Sequence, residues 1–184
     1  MRLLFFIMTL VTIYALMPFS AHAQTQVSKE TANQYFDNCV KSVSPQQPIS
    51  TQTQEMLCAC TAARLTQFFS MEDMQTMTGT EPVSARAAYN KMMVNIYAPC
   101  MEEPTREYYT KVCTSNPDTV KYGDPQKICP CMANKIAVHM ATNGPRVFSE
   151  ILSENPKVMD PMAALLGDPK FERFAQSQLL SCLK

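Results

Sequence analysis

Eight cysteines, at positions 39, 58, 60, 100, 113, 129, 131 and 182, constrain this chain more than any other feature of it. They form two sets with one order: a lone Cys, a Cys-x-Cys, and a second lone Cys. The intervening gaps are 18, 1 and 39 residues in the first set and 15, 1 and 50 in the second. Other residues keep the same register. Tyr35 and Tyr109 each stand four positions before the first Cys of their set, and Leu57 to Leu65 lies over Ile128 to Ile136 in hydrophobic class. Before the final Cys, Tyr89, Lys91, Met92 and Tyr97 match Phe171, Arg173, Phe174 and Leu179. The pattern predicts a tandem duplication, residues 24–102 and 103–184, with the boundary near Glu103-Pro104.

What the thiols mean depends on the compartment. Arg2 precedes an apolar run, Leu3 to Met17, broken only by Thr9, Thr12 and Tyr14, and Ala21-His22-Ala23 supplies a small-residue cleavage site before Gln24. These are the parts of a secretory signal peptide. The run is shorter than the roughly 20 residues that cross a bilayer, and no later stretch is apolar enough to span one. Residues 1–23 are therefore expected to be a signal peptide and the mature protein to be exported, periplasmic or secreted, with no integral membrane segment. In an oxidising compartment an even set of cysteines reads as a disulfide framework. All eight, Cys39, Cys58, Cys60, Cys100, Cys113, Cys129, Cys131 and Cys182, are assigned to it.

Each unit is about 80 residues, near the size at which a hydrophobic core needs reinforcement. One disulfide closing a loop of tens of residues contributes about 2–4 kcal/mol. On a helix, residues i and i+2 point about 200° apart, which disfavours a bond within Cys58-x-Cys60. Each Cys-x-Cys should then reach two partners, one towards the first Cys of its set and one towards the last. Both assignments fit the spacing.

Apolar spacing and capping residues predict an all-α chain of about four helices per unit. Residues 28–42 form the first helix, broken by Pro45 and Pro48. Thr51-x-x-Gln54 has the form of a capping box before a helix over 52–69, and Ser70 caps a short helix to Met77. Ser84 opens a helix to about Ala98. The second unit repeats the plan with helices over about 104–114 and 127–142, the latter ending at Asn143-Gly144. Pro145 starts the next, to Glu154. Met159–Leu166 adds a short turn, and Asp168-Pro169 begins the last helix, to Leu183. Pro130 is the one conflict, because an interior proline costs a helix about 3 kcal/mol. The expectation is a helix that starts near Cys129 or kinks there.

Without residues 1–23 the chain carries 15 basic and 16 acidic groups, a balance that gives nucleic acid no basic surface to bind. A 46% apolar and 17% charged composition is too hydrophobic for a disordered chain. With four Gly and no phosphate-binding glycine motif, no nucleotide cofactor is expected, and none of another kind is implied.

Cys129-Pro130-Cys131 is the sharpest chemical candidate. Over these three residues it resembles the active dithiol of the mitochondrial intermembrane-space disulfide relay oxidoreductase, and the resemblance implies a redox pair, Cys129 and Cys131. Met71, Met74 and Met77 follow at i, i+3, i+6, on one helix face, and thioethers suit Cu(I); an adaptable apolar face is the plainer reading. His139 is the one imidazole left after residue 23, too few for a multi-histidine zinc site and unaccompanied by a nucleophile motif. The eight-cysteine lipid-transfer proteins of plants also carry a Cys-x-Cys, but their adjacent Cys-Cys is missing here. The expected function is that of an exported, non-enzymatic, disulfide-stapled helical protein that binds a protein partner or a small apolar ligand. The alternatives are an envelope thiol-disulfide oxidoreductase using Cys129 and Cys131, and a copper-binding protein using Met71, Met74 and Met77.

Overall fold

The computed structural model describes residues 24–42 and 49–183; the expected signal peptide and the breaks at Pro45 and Pro48 lie outside them. The regular secondary structure of the described residues is helical apart from one isolated bridge, Gln26 to Ser70. Eight α-helices run in the order α1 Lys29–Lys41, α2 Thr51–Phe68, α3 Met71–Met77, α4 Pro82–Met92, α5 Glu102–Ser115, α6 Pro125–Glu154, α7 Pro161–Leu166 and α8 Pro169–Ser181. No helix among the described residues is long and apolar enough to cross a membrane.

Side-chain caps set most of the helix starts. Ser28 accepts from Thr31 N at 3.1 Å, and Asp168 accepts from Phe171 N at 2.6 Å. At α3 the Ser70 hydroxyl accepts from Asp73 N while Asp73 accepts from Ser70 N, both at 3.0 Å, a reciprocal capping box. The start of α2 differs from the expected Thr51-Gln54 box. Ser50 is the cap, accepting from Thr53 N at 3.3 Å. Its own N–H and hydroxyl donate to the Glu107 carboxylate of α5 at 2.6 and 2.8 Å. A long-range acceptor therefore replaces the local one. At α4, Pro82 takes the first helical position, where its missing N–H costs nothing, so the helix opens two residues before Ser84.

The last turns before Cys100 are not regular α-helix. Residues Met93–Tyr97 form a π-turn in which Ala98 N reaches Met93 O, and Ala98–Cys100 closes as a 3₁₀ turn. Pro99 has no N–H to give the carbonyl four residues earlier. The Arg64 guanidinium of α2 takes that carbonyl, Asn95 O, at 2.8 Å.

α6 departs most from the expectation. It runs unbroken for 30 residues, through Asn143-Gly144-Pro145, a length of about 45 Å at 1.5 Å per residue. Gly144 does not cap a helix end. A Cβ built there would lie 2.6 Å from the carbonyl oxygen of Ala98, so the missing side chain lets α6 cross the 3₁₀ turn at backbone distance. Pro145 forfeits one intrahelical bond, but Ile136, Met140, Gly144, Val147, Phe148 and Ile151 form one buried stripe across it. Burial of a stripe of that length outweighs about 3 kcal/mol of proline cost. Pro130 is likewise interior. The helix starts upstream at Pro125 behind the Asp124 cap, and both Pro130 and Gln126, whose carbonyl it leaves without a donor, are exposed to water.

Two apolar clusters hold the helices. The larger gathers Leu57 of α2, the Met93–Met101 segment, Cys113 of α5, the α6 stripe, and α7 and α8 through Leu165, Phe171 and Ala175. It draws side chains from both sides of residue 103. The smaller, Val27, Ala32, Leu65, Phe69, Met92 and Ile96, lies between α1, α2 and α4. Four disulfides overlay these clusters: Cys39–Cys58, Cys60–Cys100, Cys113–Cys129 and Cys131–Cys182. In both sets the first Cys of the Cys-x-Cys reaches back and the second reaches forward, which resolves the two assignments left open by spacing.

Candidate functional site

An apolar concavity lies between α5 and α8. Two bridges position its walls: Cys113–Cys129 ties α5 to α6, and Cys131–Cys182 ties the end of α8 to the same helix. The groove encloses about 300 Å³, with Met132, Ala175 and Cys113 as its buried floor and Tyr109, Val112 and Leu179 as its walls. That volume is at the lower end of small-molecule sites. Its apolar surface continues outward through Val112, which is 44% exposed, and the α5–α6 connection adds exposed Val120 and Tyr122.

Three rim side chains hydrogen-bond within the protein. Thr119 Oγ1 donates to Cys113 O at 2.8 Å, Asn116 Oδ1 accepts from Asp118 N at 2.9 Å, and Gln176 Nε2 donates to Glu172 Oε1 at 3.2 Å. Burial, then the neighbouring Tyr108 and Glu172, raise the Tyr109 phenol above its ordinary range, so it stays a neutral hydroxyl. The lining offers a thioether, methyl groups and aromatic edges. Such a surface is suited to taking apolar groups out of water.

A second cleft, of about 210 Å³, opens between α6 and the start of α8. Val147, Ile151, Phe171 and Phe174 line it beneath a charged rim in which Arg146 pairs with Glu150 at 2.7 Å and Lys170 pairs with Glu154. His139 lies at its edge, its ring centroid 4.2 Å from that of Phe174. Burial, then Arg146, lowers its pKa and favours the neutral ring.

The residues singled out by sequence are placed as follows. Cys129 and Cys131 are bonded to different partners, and no free cysteine occurs among the described residues. Met71, Met74 and Met77 of α3 are half-buried and pack against the smaller cluster. The groove itself comes from residues on three helices and the 3₁₀ turn Pro117–Lys121 after α5. Tyr109, Met132 and Leu179 are visible in sequence as members of the cysteine register, but nothing in that register marks them as a shared lining. Comparison with family models, curated proteins and solved structures finds no match.

Proposed function

We propose that this is an exported, non-enzymatic binding module, built from two copies of a disulfide-stapled four-helix unit, that takes a small apolar ligand in the α5–α8 groove. The observation that carries the reading is a groove with an apolar floor, at whose rim Thr119, Asn116 and Gln176 already hydrogen-bond within the protein. Such a site gains free energy from the apolar surface it takes out of water. The duplication is supported by the recurrence of helix order and bridge pattern on either side of residue 103. Export is supported by four disulfides, a framework suited to an oxidising compartment.

Titration with a fluorescent medium-chain fatty acid tests the assignment. The oxidised protein should bind one equivalent. Ala175→Leu, which fills the floor, should weaken binding by about tenfold, the effect of losing roughly 1.4 kcal/mol, while the exposed Val83→Ala leaves it unchanged. Equal affinity in wild type and Ala175→Leu would place the ligand elsewhere.

A further inference from the structure

The four bridges differ in their access to solvent. Cys113–Cys129 is buried at both ends, with residue exposures of 6% and 0%. Cys39–Cys58 and Cys60–Cys100 each have one buried partner, Cys58 and Cys100. Only in Cys131–Cys182 are both residues partly exposed. A cation stands beside this bridge: Lys135, one turn after Cys131 on α6, donates from Nζ to Ser181 Oγ at 2.7 Å, and Ser181 precedes Cys182. A nearby ammonium stabilises a thiolate.

We propose that Cys131–Cys182 is the thiol-exchange site of this protein and that opening it unclamps one wall of the groove. The two ends are not equivalent. Cys182 is the C-cap of α8, at the negative end of the helix dipole, where a thiolate is disfavoured. Cys131 lies inside α6, far from that helix's C-terminus and one turn before Lys135, and is the better leaving group. An external thiolate therefore attacks Cys182 Sγ. The new sulfur–sulfur bond forms there as the Cys131–Cys182 bond breaks, and Cys131 leaves as the thiolate. A second external thiolate then attacks the mixed disulfide and releases Cys182 as a thiolate. Two external thiols are oxidised to one disulfide and the protein bridge is reduced. The buried residues of α8 are Phe171 and Ala175. Beyond Ala175, α8 is held by partly buried Leu179 against the larger cluster, by the Lys135–Ser181 hydrogen bond and by the bridge, so opening the bridge removes its one covalent tie and loosens Gln176 and Leu179 of the groove wall. This last step rests on the proposed groove; the choice of bridge does not.

The test is graded reduction of the oxidised protein with dithiothreitol, quenching with iodoacetamide and peptide mapping. Alkylation should appear at Cys131 and Cys182 before the other six. Lys135→Gln should slow this first step about threefold, the effect of a leaving thiol about one pKa unit weaker, and Lys135→Arg should restore it. If another bridge opens first, if all eight thiols appear together, or if Lys135→Gln reduces at the wild-type rate, the assignment is overturned. Fatty-acid affinity is then measured on protein reduced at this bridge alone and should fall. Unchanged affinity overturns the unclamping step. Absence of binding by the oxidised protein would instead refute the groove and with it the unclamping, leaving the bridge order standing.

Discussion

Substituting Gly144→Ala sets two opposing effects against each other at one atom. Intrinsic helix propensity favours alanine by about 1 kcal/mol, and Gly144 lies in the interior of α6. Against this, the new Cβ would sit 2.6 Å from Ala98 O and 3.1 Å from Ala98 C. Both are backbone atoms, so no side-chain rotation relieves the clash. The turn they belong to is held by the Cys60–Cys100 bridge and by the Met101 N to Ala98 O bond at 3.3 Å. Restoring ordinary contact from 2.6 to 3.4 Å requires an outward shift of about 0.8 Å, in a helix packed along much of its length. Overpacking costs about 1–3 kcal/mol, and a clash with backbone that no rotamer relieves belongs to the upper part of that range, about 2–3 kcal/mol. With the propensity gain opposing it, the variant should be destabilised by about 1–2 kcal/mol, lowering Tm by about 2–8 °C for a chain of this size. Thermal and urea unfolding of the disulfide-intact protein measure this directly. An unchanged or raised Tm, the outcome of propensity alone, would refute the backbone contact between α6 and the 3₁₀ turn.

Arg64→Met should cost about 1–3 kcal/mol in urea unfolding, because it leaves the Asn95 carbonyl released by Pro99 without its donor; a loss below about 0.5 kcal/mol would mean that water replaces the guanidinium. Asp73→Asn should cost about 1–2 kcal/mol through the Ser70 cap and the Lys91 ion pair. Burial alone would raise the Asp73 pKa, but the Lys91 and Ser70 hydrogen bonds outweigh it and hold the value below the usual carboxylate range. Its stabilisation is therefore fully present above the unfolded pKa and is lost as pH falls through the depressed folded value. Acid titrations of stability should show wild type losing more than Asp73→Asn below about pH 4, and parallel curves would contradict the assignment.

The parts of this fold legible in sequence are those set by local chemistry. Ser70 and Asp168 cap the helices their neighbours begin, and the spacing of Leu57, Cys58, Thr61, Ala62 and Leu65 marks the buried face of α2. The misreadings occur where a distant group supplies what local rules seek nearby. Glu107 of α5 holds Ser50 and moves the start of α2. Gly144 and Pro145 have the composition of a helix break, yet Ala98 explains the glycine. The buried stripe through Met140 and Phe148 keeps its helical period across both, and that period was readable. The π-turn over Met93–Tyr97 left no local mark; it becomes intelligible only once Arg64 is seen beneath Pro99. Cysteine order anticipated that each Cys-x-Cys divides between two partners, whereas direction depends on which side of α2 and α6 each flanking segment packs. The groove was the least legible feature, because Tyr109, Met132 and Ala175 meet only when three helices are assembled.

A non-reducing peptide map of the purified protein is the most direct test, since the fold, the groove walls and the exchange site all depend on how sulfur is paired. Peptides should be joined as Cys39–Cys58, Cys60–Cys100, Cys113–Cys129 and Cys131–Cys182, with no alkylatable thiol before reduction. A bond joining a cysteine before residue 103 to one after it, or a Cys58–Cys100 or Cys129–Cys182 pair, would contradict the account.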